Sequence, residues 1–152
     1  MYKRQAKWVR PSPKSAPTDS KAAGLYMICS LSKNEAENKG FDDALMLDYR
    51  GYIAEATGAN IFFVKNGELF TPKPDCFLNG ITIQTVINLA KKLQLNVIED
   101  HFQIDFLSTC SEAFLTGTAV EITPISSIDN YKFNDRTITR KLINEFNKEV
   151  LG

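Results

Sequence analysis

The dipeptide Asn66-Gly67 stands between Ile61-Phe62-Phe63-Val64 and Glu68-Leu69-Phe70-Thr71, two runs rich in β-branched and aromatic residues. Asn-Gly favours a two-residue turn with both central residues at positive φ, which sends a strand straight back beside itself. The chain is therefore committed to an antiparallel hairpin near its middle. Tyr49-Arg50-Gly51 gives a second such signal between Ala44–Asp48 and Tyr52–Ala54. Two hairpins predict a mainly antiparallel sheet.

Helical periodicity marks the segments around these strands. Leu25, Ile28, Cys29 and Leu31 fit the apolar stripe of a helix that Gly40 closes, so Lys21 sits at its entrance. From Thr82 to Leu93 the apolar positions Ile83, Val86, Ile87, Leu89, Ala90 and Leu93 recur at helical spacing, directly after Gly80. A third helix is expected from Thr137 to Val150, a short one around Ile104–Ser108, and further strands at Asn96–Glu99, Ala113–Leu115 and Ile122–Ile125. Residues 7–20 carry Pro11, Pro13 and Pro17, which favour a loop or a ragged strand over a helix. The pattern specifies an α+β fold: a mainly antiparallel or mixed sheet with flanking helices.

At 152 residues the chain is long enough for one domain with its own core and short for two. Its 18 basic and 18 acidic residues balance, which excludes a general attraction to nucleic acid or anionic membrane. No apolar stretch reaches bilayer-spanning length and no apolar segment follows the basic N-terminus, so a cytoplasmic protein is expected. Cys29, Cys76 and Cys110 have no metal-ligand spacing and an odd count, and read as reduced, mostly buried thiols. The lone His101 has neither a metal motif nor a nucleophile beside it and reads as structural or surface.

Four stretches carry chemistry. In Ile53-Ala54-Glu55-Ala56-Thr57-Gly58-Ala59-Asn60 a carboxylate stands where a strand gives way to small residues, a place suited to holding a proton or cation. Lys21-Ala22-Ala23-Gly24-Leu25-Tyr26, Leu78-Asn79-Gly80-Ile81-Thr82 and Thr116-Gly117-Thr118-Ala119-Val120-Glu121 have a similar character. An amine, an acid, a glycine-led helix start and a Thr-Gly-Thr turn match the needs of pyridoxal phosphate. Its aldehyde takes an amine, its ring nitrogen an anion, and its phosphate backbone N–H groups and hydroxyls.

These segments, with Trp8-Val9-Arg10-Pro11 and Ala44-Leu45-Met46-Leu47-Asp48, resemble the class IV, fold-type IV pyridoxal-phosphate aminotransferases, most nearly the bacterial branched-chain amino-acid enzymes. The resemblance spans nearly the whole chain. It implies the large C-terminal domain of the D-amino-acid aminotransferase-like fold, a mixed sheet or pseudo-barrel. By the same resemblance Lys21 is the aldimine-forming and proton-shuttling lysine, its amine neutral for part of the cycle. Glu55 is the partner of the ring nitrogen, and Tyr26 bonds the ring oxygen. Gly80, Ile81 and Thr82 form the phosphate cup, with Gly117 and Thr118 as further cofactor contacts and Thr118 and Ala119 beside the substrate carboxylate. Ile83 stands where the family often has arginine.

The family's cofactor lies in a cleft between two domains, and the resemblance places this chain on one side of it. Residues 1–20 are then an interdomain linker and lead-in, 21–152 the cofactor-binding domain, and the family's N-terminal domain is not included. The implied substrates are branched-chain amino acids and 2-oxo acids, with a homo-oligomer or a complementing N-terminal-domain chain as partner. D-amino-acid aminotransferase and aminodeoxychorismate lyase share the Lys21 and Glu55 roles and remain alternatives, as does a non-catalytic remnant or half of a split enzyme.

Overall fold

The first strand is the largest departure from the sequence reading. A computed structural model describes residues 2–151. In it β1 (Tyr2–Arg10) runs parallel to β2 (Asp43–Asp48), where the sequence reading expects no strand before residue 7 and only a loop or ragged strand from there on. Its polar composition conceals it. Lys3 is fully buried, and its ammonium is paired with Asp43 on the neighbouring strand, a partner 40 residues away that no local pattern announces. The prolines that signal irregular backbone begin only at Pro11, one residue past the strand.

The remaining elements follow closely. After α1 (Ala23–Asn38) come β2, β3 (Ile53–Ala56), β4 (Asn60–Lys65), β5 (Glu68–Pro72) and α2 (Ile81–Lys92). Then follow β6 (Val97–Asp100), a 3-10 turn at Ile104–Thr109, β7 (Glu112–Gly117), β8 (Glu121–Ile125), the two-residue strands β9 (Ser127–Ile128) and β10 (Tyr131–Lys132), and α3 (Thr137–Leu151). Two five-stranded sheets result, in the orders β10-β9-β1-β2-β3 and β6-β5-β4-β7-β8. Five of the eight pairings are antiparallel, so the sheets are mixed but mainly antiparallel, as expected. At the β4–β5 turn Asn66 and Gly67 both have positive φ, 51° and 76°, the geometry that Asn-Gly predicts.

The sheets pack face to face around one apolar core, to which the first sheet gives Leu45, Ile53 and Ala56 and the second Ile61, Phe63, Ala113 and Leu115. The other face of the second sheet carries Phe62 and Phe114, stacked with ring centres 5.2 Å apart, under α2 and α3. Strand alternation thus feeds two cores from the same run, Phe62 into one and Phe63 into the other. Both rings are fully buried, each contributing about 1.5–3 kcal/mol of hydrophobic stabilisation.

Helix α1 packs on β1 and β2 with a stripe different from the one expected. Cys29, Ser32 and Ala36 are buried, whereas Leu31 is 43% and Met27 64% exposed. Its small residues face the sheet, Met27 and Leu31 face outward, and Leu25 and Ile28 are half-buried. The helix closes as predicted at Gly40 (φ 83°), where the N–H groups of Phe41 and Gly40 donate to the carbonyls of Ala36 and Glu37.

The three cysteines are free, with Cys29 and Cys76 buried and Cys110 half-buried. Burial pushes the Cys76 thiol up to about 12 and Cys110 to about 11, which leaves them unreactive. His101 is structural, stacked on Tyr52 with its Nε2 3.3 Å from Asp75. No helix among the described residues is long and apolar enough to cross a membrane.

Candidate active site

A cavity of about 490 Å³ opens where the end of β3, the start of α1, the N-terminus of α2 and the β7–β8 turn meet. All nine residues singled out in the sequence border it: Lys21, Tyr26, Glu55, Gly80, Ile81, Thr82, Gly117, Thr118 and Ala119. Residues far apart in sequence converge because β3 leads through the Thr57-Gly58-Ala59 turn directly into β4, whose first residue, Asn60, pairs with Thr116 of β7. A second hollow, near Leu93 and Lys148, lies at the far end of α2 and holds none of these groups.

Glu55 is the buried charge of the cavity. It lies on β3 opposite Met46, one residue before the strand ends, and is 9% exposed. Burial raises its carboxyl to about 7, and the nearby Arg10 only partly opposes the shift. Arg10 Nε is 3.2 Å from Glu55 Oε1, but its N–H is not aligned to bond the carboxylate and has no other acceptor. The rest of the guanidinium reaches the Leu25 carbonyl and Cys29 Sγ, each at 3.5 Å. Arg10 therefore links β1, α1 and Glu55. The sequence reading quotes Arg10 in a motif without giving it a role, because its importance comes from burial beside an acid 45 positions on.

Helix α2 presents a bare N-terminus to the cavity. Gly80 is its N-cap with no side-chain capping bond, and no acid occupies its first turn, while Lys91 and Lys92 complement the opposite end. The helix starts at Ile81, so Thr82 lies inside its first turn. By contrast, α3 has its first turn satisfied: the buried Glu112 carboxylate accepts from the N–H groups of Ile138 and Thr139 at 2.9 and 2.8 Å. The start of α3 is thus neutralised, whereas those of α1 (N-cap Ala22) and α2 have neither a side-chain cap nor a first-turn acid.

Three further residues complete the walls without having been singled out. Asn60 Nδ2 donates to the Leu78 carbonyl at 3.2 Å. Thr57 donates its hydroxyl to Asp43, which also pairs with Lys3. Thr116 is fully buried and its hydroxyl has no partner among the described residues, an unmet donor at the cavity wall. Ile83, where the resemblance suggests an arginine, is fully buried in the core with Phe62 and Val86 and does not line the cavity. Lys21 is exposed rather than shielded.

This arrangement is matched by known proteins. A family model for amino-transferase class IV covers residues 1–128. The chain belongs to that family. Among curated relatives of the chain, a probable branched-chain-amino-acid aminotransferase of Rickettsia bellii (strain RML369-C) is 46% identical over 151 residues, covering 97% of the chain and 52% of the relative. The branched-chain-amino-acid aminotransferase of Escherichia coli (strain K12) is 40% identical over 129 residues, 84% of the chain and 42% of that protein. The solved branched-chain aminotransferase of Thermoproteus uzoniensis with norvaline superposes with a TM-score of 0.96 at 37% identity, covering 99% of the chain and 51% of that structure. A Brucella abortus aminotransferase bound to the cofactor PLP gives a TM-score of 0.94 at 33% identity, with 99% and 54% covered. The chain spans about half the length of the curated relatives it matches most fully.

Proposed function

We propose that this chain holds pyridoxal phosphate and serves a branched-chain amino-acid aminotransferase, passing an amino group between leucine, isoleucine or valine and 2-oxoglutarate. The observation that carries this reading is the joint presence of Lys21, Glu55 and the uncapped α2 N-terminus around one cavity. The donor set bordering the cavity fits the cofactor: an exposed primary amine, a buried acid, unneutralised helix N–H groups and the orphaned Thr116 hydroxyl. When bound, pyridoxal phosphate supplies an aldehyde for the amino group and a ring that spreads the negative charge left by α-proton removal.

The protein's own groups do the rest in this reading. Lys21 Nζ would serve the aldehyde end, taking the substrate α-proton and returning it to the carbon on the far side of the amino nitrogen. Glu55 holds a proton against the ring nitrogen. Arg10, 3.2 Å from the carboxylate, keeps the acid in place. The first-turn N–H groups of α2, with the hydroxyls of Thr82 and Thr118, hold the phosphate. Tyr26 donates to the ring oxygen, and Gly117, Thr118 and Ala119 form the edge where a substrate carboxylate docks.

Lys21, Tyr26, Ile81, Thr118 and Ala119 are exposed, so this side of the cleft alone leaves the reacting atoms wet. In this proposal a further part of the family fold, or a second subunit, covers them and completes the substrate pocket. The test is transfer of the amino group of leucine to 2-oxoglutarate by the purified chain, alone and with the remaining half of a relative added. Turnover that requires Lys21 supports the reading. Equal activity in Lys21→Ala would discard it.

A further inference from the structure

We infer that Asn60 is a positioning residue for the phosphate cup, setting the turn that aims the α2 N–H groups into the cavity. This rests on the reading of that helix start as the phosphate site. Asn60 is the first residue of β4 and lies opposite Thr116 on the face of the sheet that carries Phe62 and Phe114 and packs against α2. It is 7% exposed, so its amide has little access to water and must find partners inside the protein. Two contacts fix what it does. Its Nδ2 donates to the carbonyl of Leu78 at 3.2 Å, holding the backbone two residues before the N-cap. Its Oδ1 occupies the space beside Gly80, where a Cβ would come within 2.9 Å.

The side chain thus holds the turn with one end and crowds the cap with the other, so that a side chain at position 80 would have to push the Asn60 amide aside. Gly80 has φ −67°, an ordinary value, so conformational freedom does not explain its glycine and the approach of Asn60 does. The same turn is braced outside by Gln84, whose Nε2 donates to Asn79 Oδ1 at 2.8 Å. That bond is exposed, whereas the Asn60 bond is shielded and sits below the cavity. With Asn60 in place the segment 78–82 meets a ligand already shaped, and little ordering remains for binding to impose.

The experiment compares pyridoxal phosphate with pyridoxal, which has the same aldehyde and ring but no phosphate, by borohydride trapping and mass measurement at Lys21. Amide hydrogen exchange over residues 78–84 is followed in parallel without ligand. Asn60→Ala and Asn60→Asp are expected to speed exchange in that segment and to weaken pyridoxal phosphate trapping roughly three- to tenfold while leaving pyridoxal trapping unchanged. A residue that merely stabilised the fold would lower both aldehydes together. Gly80→Ala should also show a phosphate-selective loss, and Asn60→Ala added to it should cost nothing further, because it removes the clash. Unchanged exchange over 78–84, or equal loss for both aldehydes, overturns the positioning role. Native protein that does not prefer the phosphorylated aldehyde defeats the phosphate reading instead, and exchange over 78–84 then still decides whether Asn60 sets the turn.

Discussion

At Glu55, burial and charge pull in opposite directions, and burial wins. An unfolded carboxyl near 4.5 rises to about 7 in the fold, so between those values the native state holds a proton that the unfolded chain has released. Its stability contribution is fully present below the unfolded value and is lost as pH rises through about 7. Up to about 3 kcal/mol is at stake, given 1.36 kcal/mol per pH unit. Thermal melts of Glu55→Gln from pH 5 to 8 should therefore lack the part of the pH-dependent loss that the native protein shows. Identical pH profiles for the two proteins would refute the burial argument. Arg10→Met removes the charge that opposes burial at Glu55, and the carboxyl should titrate still higher, which carboxyl-region infrared titration can follow.

Two helix ends give predictions of opposite sign. α2 stops with Gln94 in the left-handed region (φ 57°), while Leu95 and Gln94 donate to the carbonyls of Ala90 and Lys91. A side chain there carries a penalty that glycine avoids, so Gln94→Gly should raise stability by about 1 kcal/mol in urea unfolding. A loss would mean that the side chain contributes more than its backbone strain costs. At α3, Glu112 accepts from two helix N–H groups and from the Thr139 hydroxyl, 2.6 Å away, while fully enclosed. Glu112→Gln should lower stability by about 1–3 kcal/mol, because a charged acceptor is lost and a buried amide needs new partners. The hairpins and helices were legible because turn chemistry and 3.6-residue spacing are local, as the Asn66-Gly67 turn and the Ile83–Leu93 stripe show. Strand β1 was not, since a buried Lys3 makes sense only beside Asp43.

Across the whole molecule, two cores and a cavity are built from one sheet register. The pairing that puts Phe62 beside Phe114 also puts Asn60 opposite Thr116 at the mouth of α2. Motif resemblance could name Lys21, Glu55 and the Gly80–Thr82 segment because each is a contiguous word in the sequence. Arg10, Asn60 and Thr116 acquire meaning only from what folding places next to them: an acid, a carbonyl, and the absence of any partner. The central claim is that Lys21 and Glu55 serve opposite ends of one bound ring. Its most direct test is to incubate the chain with pyridoxal phosphate, reduce with borohydride, and locate the added mass by peptide mapping in the native protein, Glu55→Ala and Lys21→Ala. The account predicts a label concentrated on Lys21, weakened by Glu55→Ala and abolished by Lys21→Ala. A label scattered over other lysines, or one on Lys21 indifferent to Glu55, would contradict it.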